Sequence, residues 1–179
     1  MKCLHLGCGG EDLPSWLSQY EEVKLDANPG CRPHILASAT DLGDIGPFEA
    51  VYTSHMLEHI VPALVVTAVR EMHRVLTDDG IAYIIVPDLE DVRPTLEPIM
   101  EIDGRQYCGL DLIYGDHRQT ANNPLMRHCS GFVADTLGEV MRLAGFPAVS
   151  VTRANGYQLI GIGANDKATM QGCHLLSDD

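Results

Sequence analysis

Residues 81–87, Ile-Ala-Tyr-Ile-Ile-Val-Pro, are apolar at every position. A strand with one wet face alternates oily and polar residues, and this run does not. It is short, β-rich and bounded by Gly80 before and Asp88 after, which reads as a strand and not as a long helix. A strand apolar on both faces belongs in the middle of a mostly parallel sheet with other elements packed above and below it. That one run commits the chain to alternating strands and helices.

The surrounding sequence supplies them. Residues 2–6 (KCLHL) form a short apolar strand ended by Gly7 and Gly9. In residues 12–20 (DLPSWLSQY), Leu13, Trp16 and Leu17 fall at helical spacing, with Pro14 near the start, which predicts a helix. Residues 22–26 (EVKLD), 33–38 (PHILAS) and 48–54 (FEAVYTS) read as three more strands. Ile60, Leu64, Val65, Val69, Met72 and Val75 make one apolar stripe, predicting a helix over 59–76. A second helix is predicted over 133–144, with Gly145 just past its end. Residues 148–154 and 157–164 read as a closing antiparallel pair. The expected fold is α/β: a Rossmann-like, doubly wound, mostly parallel sheet with a C-terminal antiparallel hairpin. The expected organisation is one domain over residues 1–165 and a flexible tail over 166–179.

Charge and cysteine content narrow the function classes. Lys and Arg total 12 against 25 Asp and Glu, a formal charge of −13. So acidic a chain is repelled by phosphate backbones, and its basic residues are scattered singly, so no nucleic-acid partner is expected. The six cysteines form no C-x-x-C pair. Free thiols in a reducing compartment follow, hence a cytoplasmic protein. No signal peptide is evident, and no segment reaches the roughly 18 apolar residues of a membrane span.

In open α/β sheets ligands bind beyond the carboxyl ends of the strands. After the first strand comes Gly7-Cys8-Gly9-Gly10-Glu11-Asp12. Glycines there let the backbone approach a ligand closely. The second strand ends at Asp26, whose carboxylate can accept two hydrogen bonds from a ribose diol. Together they point to an adenosine-containing ligand. A dinucleotide-binding turn would have a third glycine where Asp12 stands, and a pyrophosphate would be repelled by Glu11 and Asp12. No Gly-Lys-Ser/Thr phosphate loop is present. An acidic, phosphate-free turn suits a cationic adenosine compound, and S-adenosylmethionine is one.

At this point the chain resembles the class I S-adenosylmethionine-dependent methyltransferases of the methyltransferase type 11 kind. Four stretches carry the resemblance in order over residues 2–90: LHLGCGG, VKLDANP, ATDLGDIGPFEAVYTSHMLEHI and REMHRVLTDDGIAYIIVPD. LAGFPAVSVTR adds a late helix and strand. The resemblance implies S-adenosyl-L-methionine as cofactor, held by Gly7, Cys8, Gly9 and Asp26. It implies an adenine contact at Asp41, with Ser38 as the alternative register, and Leu42 as its apolar neighbour. It also implies Ser54 and His59 lining the methionine side. His5 stands where many members carry an acid, and TDDG replaces a common Lys-Pro-Gly-Gly turn.

Within residues 54–60 (SHMLEHI), His55, Glu58 and His59 match the His-x-x-Glu-His spacing of a zinc peptidase family. That chemistry needs both histidines on one helical face. Here the motif straddles a strand exit and a helix start, so no metal is expected, and Glu58 reads as a favourable charge near a helix N-terminus. Methyl transfer is mostly a positioning problem, and a base is needed only for an acceptor that must lose a proton. His55 is the first candidate and Asp88 the second, with His117 and His128 behind them. Residues 91–132 match nothing general. Their mix of Tyr, His, Arg and Gly suits a lid or acceptor pocket, with Arg118 and Arg127 available to an anionic acceptor; a homodimer contact is the alternative use. The function expected is methyl transfer to a small-molecule acceptor. The competing classes are a catalytically silent binder of the same ligand and a nicotinamide-dependent oxidoreductase.

Overall fold

The structure is a computed structural model that describes residues 1–102 and 104–166. Apart from Asp166, the tail expected to be flexible lies outside the described residues.

Seven strands form one sheet in the order β3-β2-β1-β4-β5-β9-β8. They are β1 (Lys2–Leu6), β2 (Glu21–Asp26), β3 (Ile35–Leu36), β4 (Phe48–Ser54), β5 (Leu76–Pro87), β8 (Ala148–Ala154) and β9 (Gln158–Ala164). The first five pair in parallel, and β9 runs antiparallel to β5 and β8. This is the mostly parallel sheet with a terminal antiparallel pair that the sequence predicts. A separate two-stranded hairpin joins β6 (Pro98–Ile102) to β7 (Arg105–Cys108).

β5 is buried from Gly80 to Asp88 and sits between β4 and β9. Ala82, Ile84 and Val86 face one apolar cluster; Ile81, Tyr83 and Ile85 face another. Full burial of such side chains stabilises the fold by roughly 1.5–3 kcal/mol each. The first cluster is closed by α1 (Pro62–Arg74), through Val65, Ala68, Val69 and Met72, and by α4 (Ala134–Ala144), through Leu137 and Met141. Gly145 caps α4 in the left-handed region, as the sequence predicts.

The second cluster lacks the helix expected over residues 12–20. A three-residue 3-10 turn, Ser15–Leu17, stands in its place, with Leu17 fully buried and Trp16 packed edge-on against Tyr52 and Tyr83. The link explains the difference. The glycine turn uses residues 7–10, and β2 begins at Glu21. A parallel crossover through a helix wants a dozen or more residues. An extended chain covers about 3.3 Å per residue against 1.5 Å in a helix, so a largely extended return spans the sheet more easily. The other helix starts later than expected. Leu57–His59 is a separate 3-10 turn, Val61 is extended, and α1 opens on Pro62.

Candidate active site

The carboxyl ends of β1 to β5 lie on one edge of the sheet. Because β9 is antiparallel, its start joins them, with Pro87 paired to Gln158. Two cavities open along this edge.

The first has a volume of about 320 Å³, inside the range of small-molecule sites. β1 gives it Leu6, Gly7 and Gly9, β2 gives Asp26, and the exit of β3 gives Ala37, Ser38 and Ala39. Met56, His59 and Ile60 come from the exit of β4, and Asn123, Leu125 and Met126 close it from above. Both cradle glycines have positive φ, +68° at Gly7 and +55° at Gly9, which disfavours other residues there. A Cβ at Gly7 would lie 2.2 Å from Met56 Cγ, whereas one at Gly9 would meet nothing within 4 Å. Met56 is thus seated on Gly7, and Gly9 leaves the approach to its backbone open. The Asp26 carboxylate is fixed from both sides: Gly9 N–H donates to Oδ2 at 2.9 Å and Asn28 N–H to Oδ1 at 2.8 Å. Each oxygen retains a lone pair for a further donor.

Among the described residues no Lys or Arg lines this cavity; the ionisable side chains there are Asp26, Cys31, His55 and His59. That composition fits a phosphate-free, cationic nucleoside compound and does not fit a pyrophosphate. The residues therefore suit S-adenosylmethionine. Asp12 takes no part in the choice: it lies outside the cavity, 2.5 Å from Lys24.

The expected cofactor residues divide. Gly7, Gly9, Asp26 and His59 come together on the cavity wall. Cys8 is buried behind the turn, and burial, with the charge of Asp26 secondary, raises its thiol pKa. Asp41 is exposed and accepts from Gly43 N–H, while Leu42 is buried in the helix-side core with its N–H on Glu71. Neither lines the cavity, whereas Ser38 does. β3 is only two residues long and the chain turns straight after it, which swings Asp41 away. Ser54 ends β4 beside Ile85, and its successors His55 and Met56 line the cavity in its stead.

The second cavity, about 260 Å³, lies beneath α2 (Gly109–Tyr114) and α3 (His117–Thr120). Glu58, Asp111 and Asp116 bring it carboxylates, and Tyr107, His128 and Tyr157 bring rings. His55, His59 and Met126 line both cavities. His55 has φ +51°, a left-handed backbone that costs a non-glycine residue about 1 kcal/mol or more. Its N–H bonds to Ile85 O at 2.9 Å. Its Nε2 lies 2.8 Å from Gln158 Nε2, so the amide donates and Nδ1 keeps the ring proton, 3.4 Å from Glu58 Oε1.

Asp88 lines none of these walls. It is buried, ion-paired to Arg153, and accepts from Glu90 N–H at 3.0 Å. His117 is held by Asp111, with Nδ1 2.6 Å from Oδ1. Arg118 pairs with Asp116 and lies 5.0 Å from the centre of the Tyr107 ring. Arg118 and Arg127 line a larger groove outside α2, and among the described residues no Lys or Arg lines the second cavity.

Three features escaped the sequence. Gln158 sits in an ordinary strand pattern and gives no signal. Glu58 is 1% exposed and opens no α-helix. His128 reaches it because Cys129 and Ser130 N–H groups both donate to Glu58 O, at 2.7 and 2.9 Å.

The family model described as a methyltransferase domain matches residues 1–151. No curated protein matches the sequence. Among solved structures, the 1,6-didemethyltoxoflavin-N1-methyltransferase of Burkholderia thailandensis, bound to 1,6-didemethyltoxoflavin and S-adenosylhomocysteine, is 17% identical. It has a TM-score of 0.56, with 90% of this chain and 69% of that one covered. The S-adenosylmethionine-dependent methyltransferase SibL is 15% identical with a TM-score of 0.62 over 93% of this chain, which spans 50% of SibL's length. A TehB-like methyltransferase from Corynebacterium glutamicum is 14% identical with a TM-score of 0.58, covering 92% and 80%. The match over 151 of the chain's residues, on a fold these enzymes share, means that the chain belongs to the methyltransferase-domain family, the class I S-adenosylmethionine-dependent methyltransferases.

Proposed function

We propose that the chain methylates a small molecule held in the cavity beneath α2 and α3. The observation that carries this reading is the junction: His55, His59 and Met126 belong to both cavities, so a donor in one and an acceptor in the other meet there. When bound, S-adenosylmethionine supplies a methyl group already activated on a sulfonium. The chain's own residues hold and orient. Asp26 offers one lone pair per oxygen to the ribose diol, Gly9 admits close backbone approach, and Ala37, Ala39 and Ile60 give an apolar seat to the base. Ordering of donor and acceptor at the junction is the main catalytic contribution.

His55 is the candidate base for an acceptor that must lose a proton. Its Nε2 lone pair is held by the Gln158 amide, so the amide must turn aside before the ring can take a proton. The acid-lined cavity favours a neutral or cationic acceptor over an anionic one. Incubating the protein with labelled S-adenosylmethionine and fractionated small metabolites tests the reading: label transfer to a small product supports it, and transfer only to macromolecules contradicts it. With the acceptor in hand, His55→Ala is expected to lower kcat about 100-fold or more, with cofactor affinity measured separately because His55 also lines the first cavity. Unchanged kcat removes His55 as base.

A further inference from the structure

Glu58 is nearly fully buried, and neither carboxylate oxygen accepts a hydrogen bond among the described residues; His55 Nδ1, 3.4 Å from Oε1, approaches it without making one. A buried carboxylate left this way is costly and calls for a counter-charge. Two histidines stand beside it in a particular state. His59 Nδ1 lies 3.0 Å from Arg127 O and His128 Nδ1 lies 2.8 Å from Leu112 O. A carbonyl only accepts, so each Nδ1 carries the proton and each Nε2 keeps its lone pair. Neutral imidazoles anchored through Nδ1–H to a carbonyl are what a divalent metal ion takes as ligands.

Glu58, His59 and His128 each offer a ligand atom within 4.8 Å of the other two. Ligands about 2.0–2.2 Å from one ion sit roughly 3–4 Å apart, so a side-chain adjustment on the order of 1 Å closes the set. The three residues come from the exit of β4 and from the stretch before α4, and the two backbone bonds onto Glu58 O fix their approach.

We propose that Glu58, His59 and His128 bind one zinc-like divalent ion on the wall of the second cavity, at the edge where His59 also lines the first. Two histidines and a carboxylate leave coordination positions open, and Glu58 and His128 place them toward the second cavity. There the ion takes an oxygen atom of the acceptor, which orients a hydroxyl or carbonyl group toward the junction; this last step rests on the methyl-transfer reading, whereas the ion site does not. The arrangement is not that of the zinc peptidase pattern. His55 lies outside the ligand set, and Glu58 is a ligand, not a base.

The test is metal binding by the chelator-treated full chain, with Zn2+ followed by calorimetry and Co2+ by its visible absorption. One ion per chain is expected, with tetrahedral or five-coordinate Co2+ bands. Glu58→Gln and His128→Asn are each expected to weaken binding roughly 100-fold or more, with circular dichroism and S-adenosylhomocysteine affinity unchanged. Asp116→Asn, in the neighbouring Asp111, Asp116 and His117 group, is expected to leave binding intact. If one of the first two variants fails to fold, the other decides. The proposal is overturned by absence of saturable binding, by undiminished binding in a folded Glu58→Gln or His128→Asn, or by loss with Asp116→Asn. Metal binding without any methyl transfer would leave the site standing and remove the methyl-transfer reading alone.

Discussion

At the scale of single residues, burial and hydrogen bonding sort groups that look alike in the sequence. Cys3 is fully buried, and burial, with the Glu22 charge secondary, pushes its thiol pKa up to about 12. Cys129 is exposed. Since the thiolate is the reactive form, brief alkylation of the folded protein at pH 8 is expected to label Cys129 and spare Cys3, as read by peptide mass. Equal labelling would contradict the burial of β1. Gly7, Gly9, Asp26 and His55 stand at strand exits, where the sequence put them, because a glycine turn and a strand-end acid are local signals. Asp41 lies off the cavity wall, because the chain leaves a two-residue strand sharply. The sequence could not bring Glu58 to His128, because two backbone hydrogen bonds between segments far apart in sequence, from Cys129 and Ser130 to Glu58 O, make that contact.

At the scale of elements, the segment between β5 and α4 is organised around Asp111. Its carboxylate accepts from Cys108 N–H at 2.9 Å and His117 N–H at 3.1 Å, besides the His117 ring. Burial alone would raise its pKa, but these donors outweigh burial and hold it well below the usual carboxylate range. A depressed folded pKa gives stability that is complete above the unfolded value of about 4 and is lost as pH falls through the folded one. Protection of the α2 amides against hydrogen exchange, corrected for intrinsic rates, is therefore expected to gain nothing from Asp111 between pH 5 and 7 and to lose its share only below about pH 4. Asp111→Asn is expected to lower the local opening energy by about 1–3 kcal/mol at pH 7; unchanged protection would show that α2 does not depend on this carboxylate. The elements themselves were largely legible. The second half of β5 announced itself by the apolar run over residues 81–87, and α4 by Gly145 just past its end. The helix expected over residues 12–20 failed because a pattern of Leu13, Trp16 and Leu17 satisfies a buried turn as well as a helix, and connection length decided between them.

At the scale of the whole molecule, one sheet edge gathers the ends of five parallel strands and the start of an antiparallel one. Residues far apart in sequence thereby share two adjoining cavities. Among the described residues no helix is long and apolar enough to cross a membrane. The central claim is that the first of these cavities is built for an adenosine compound without phosphates. Calorimetric titration with S-adenosylhomocysteine and NAD, on the native chain and on Asp26→Ala, tests it directly. The expected result is one saturable site for S-adenosylhomocysteine, weakened about 10-fold to 100-fold by Asp26→Ala, since charged hydrogen bonds contribute about 1.5–3 kcal/mol, and no heat of binding with NAD. Binding of NAD in preference, or S-adenosylhomocysteine affinity indifferent to Asp26, would contradict it.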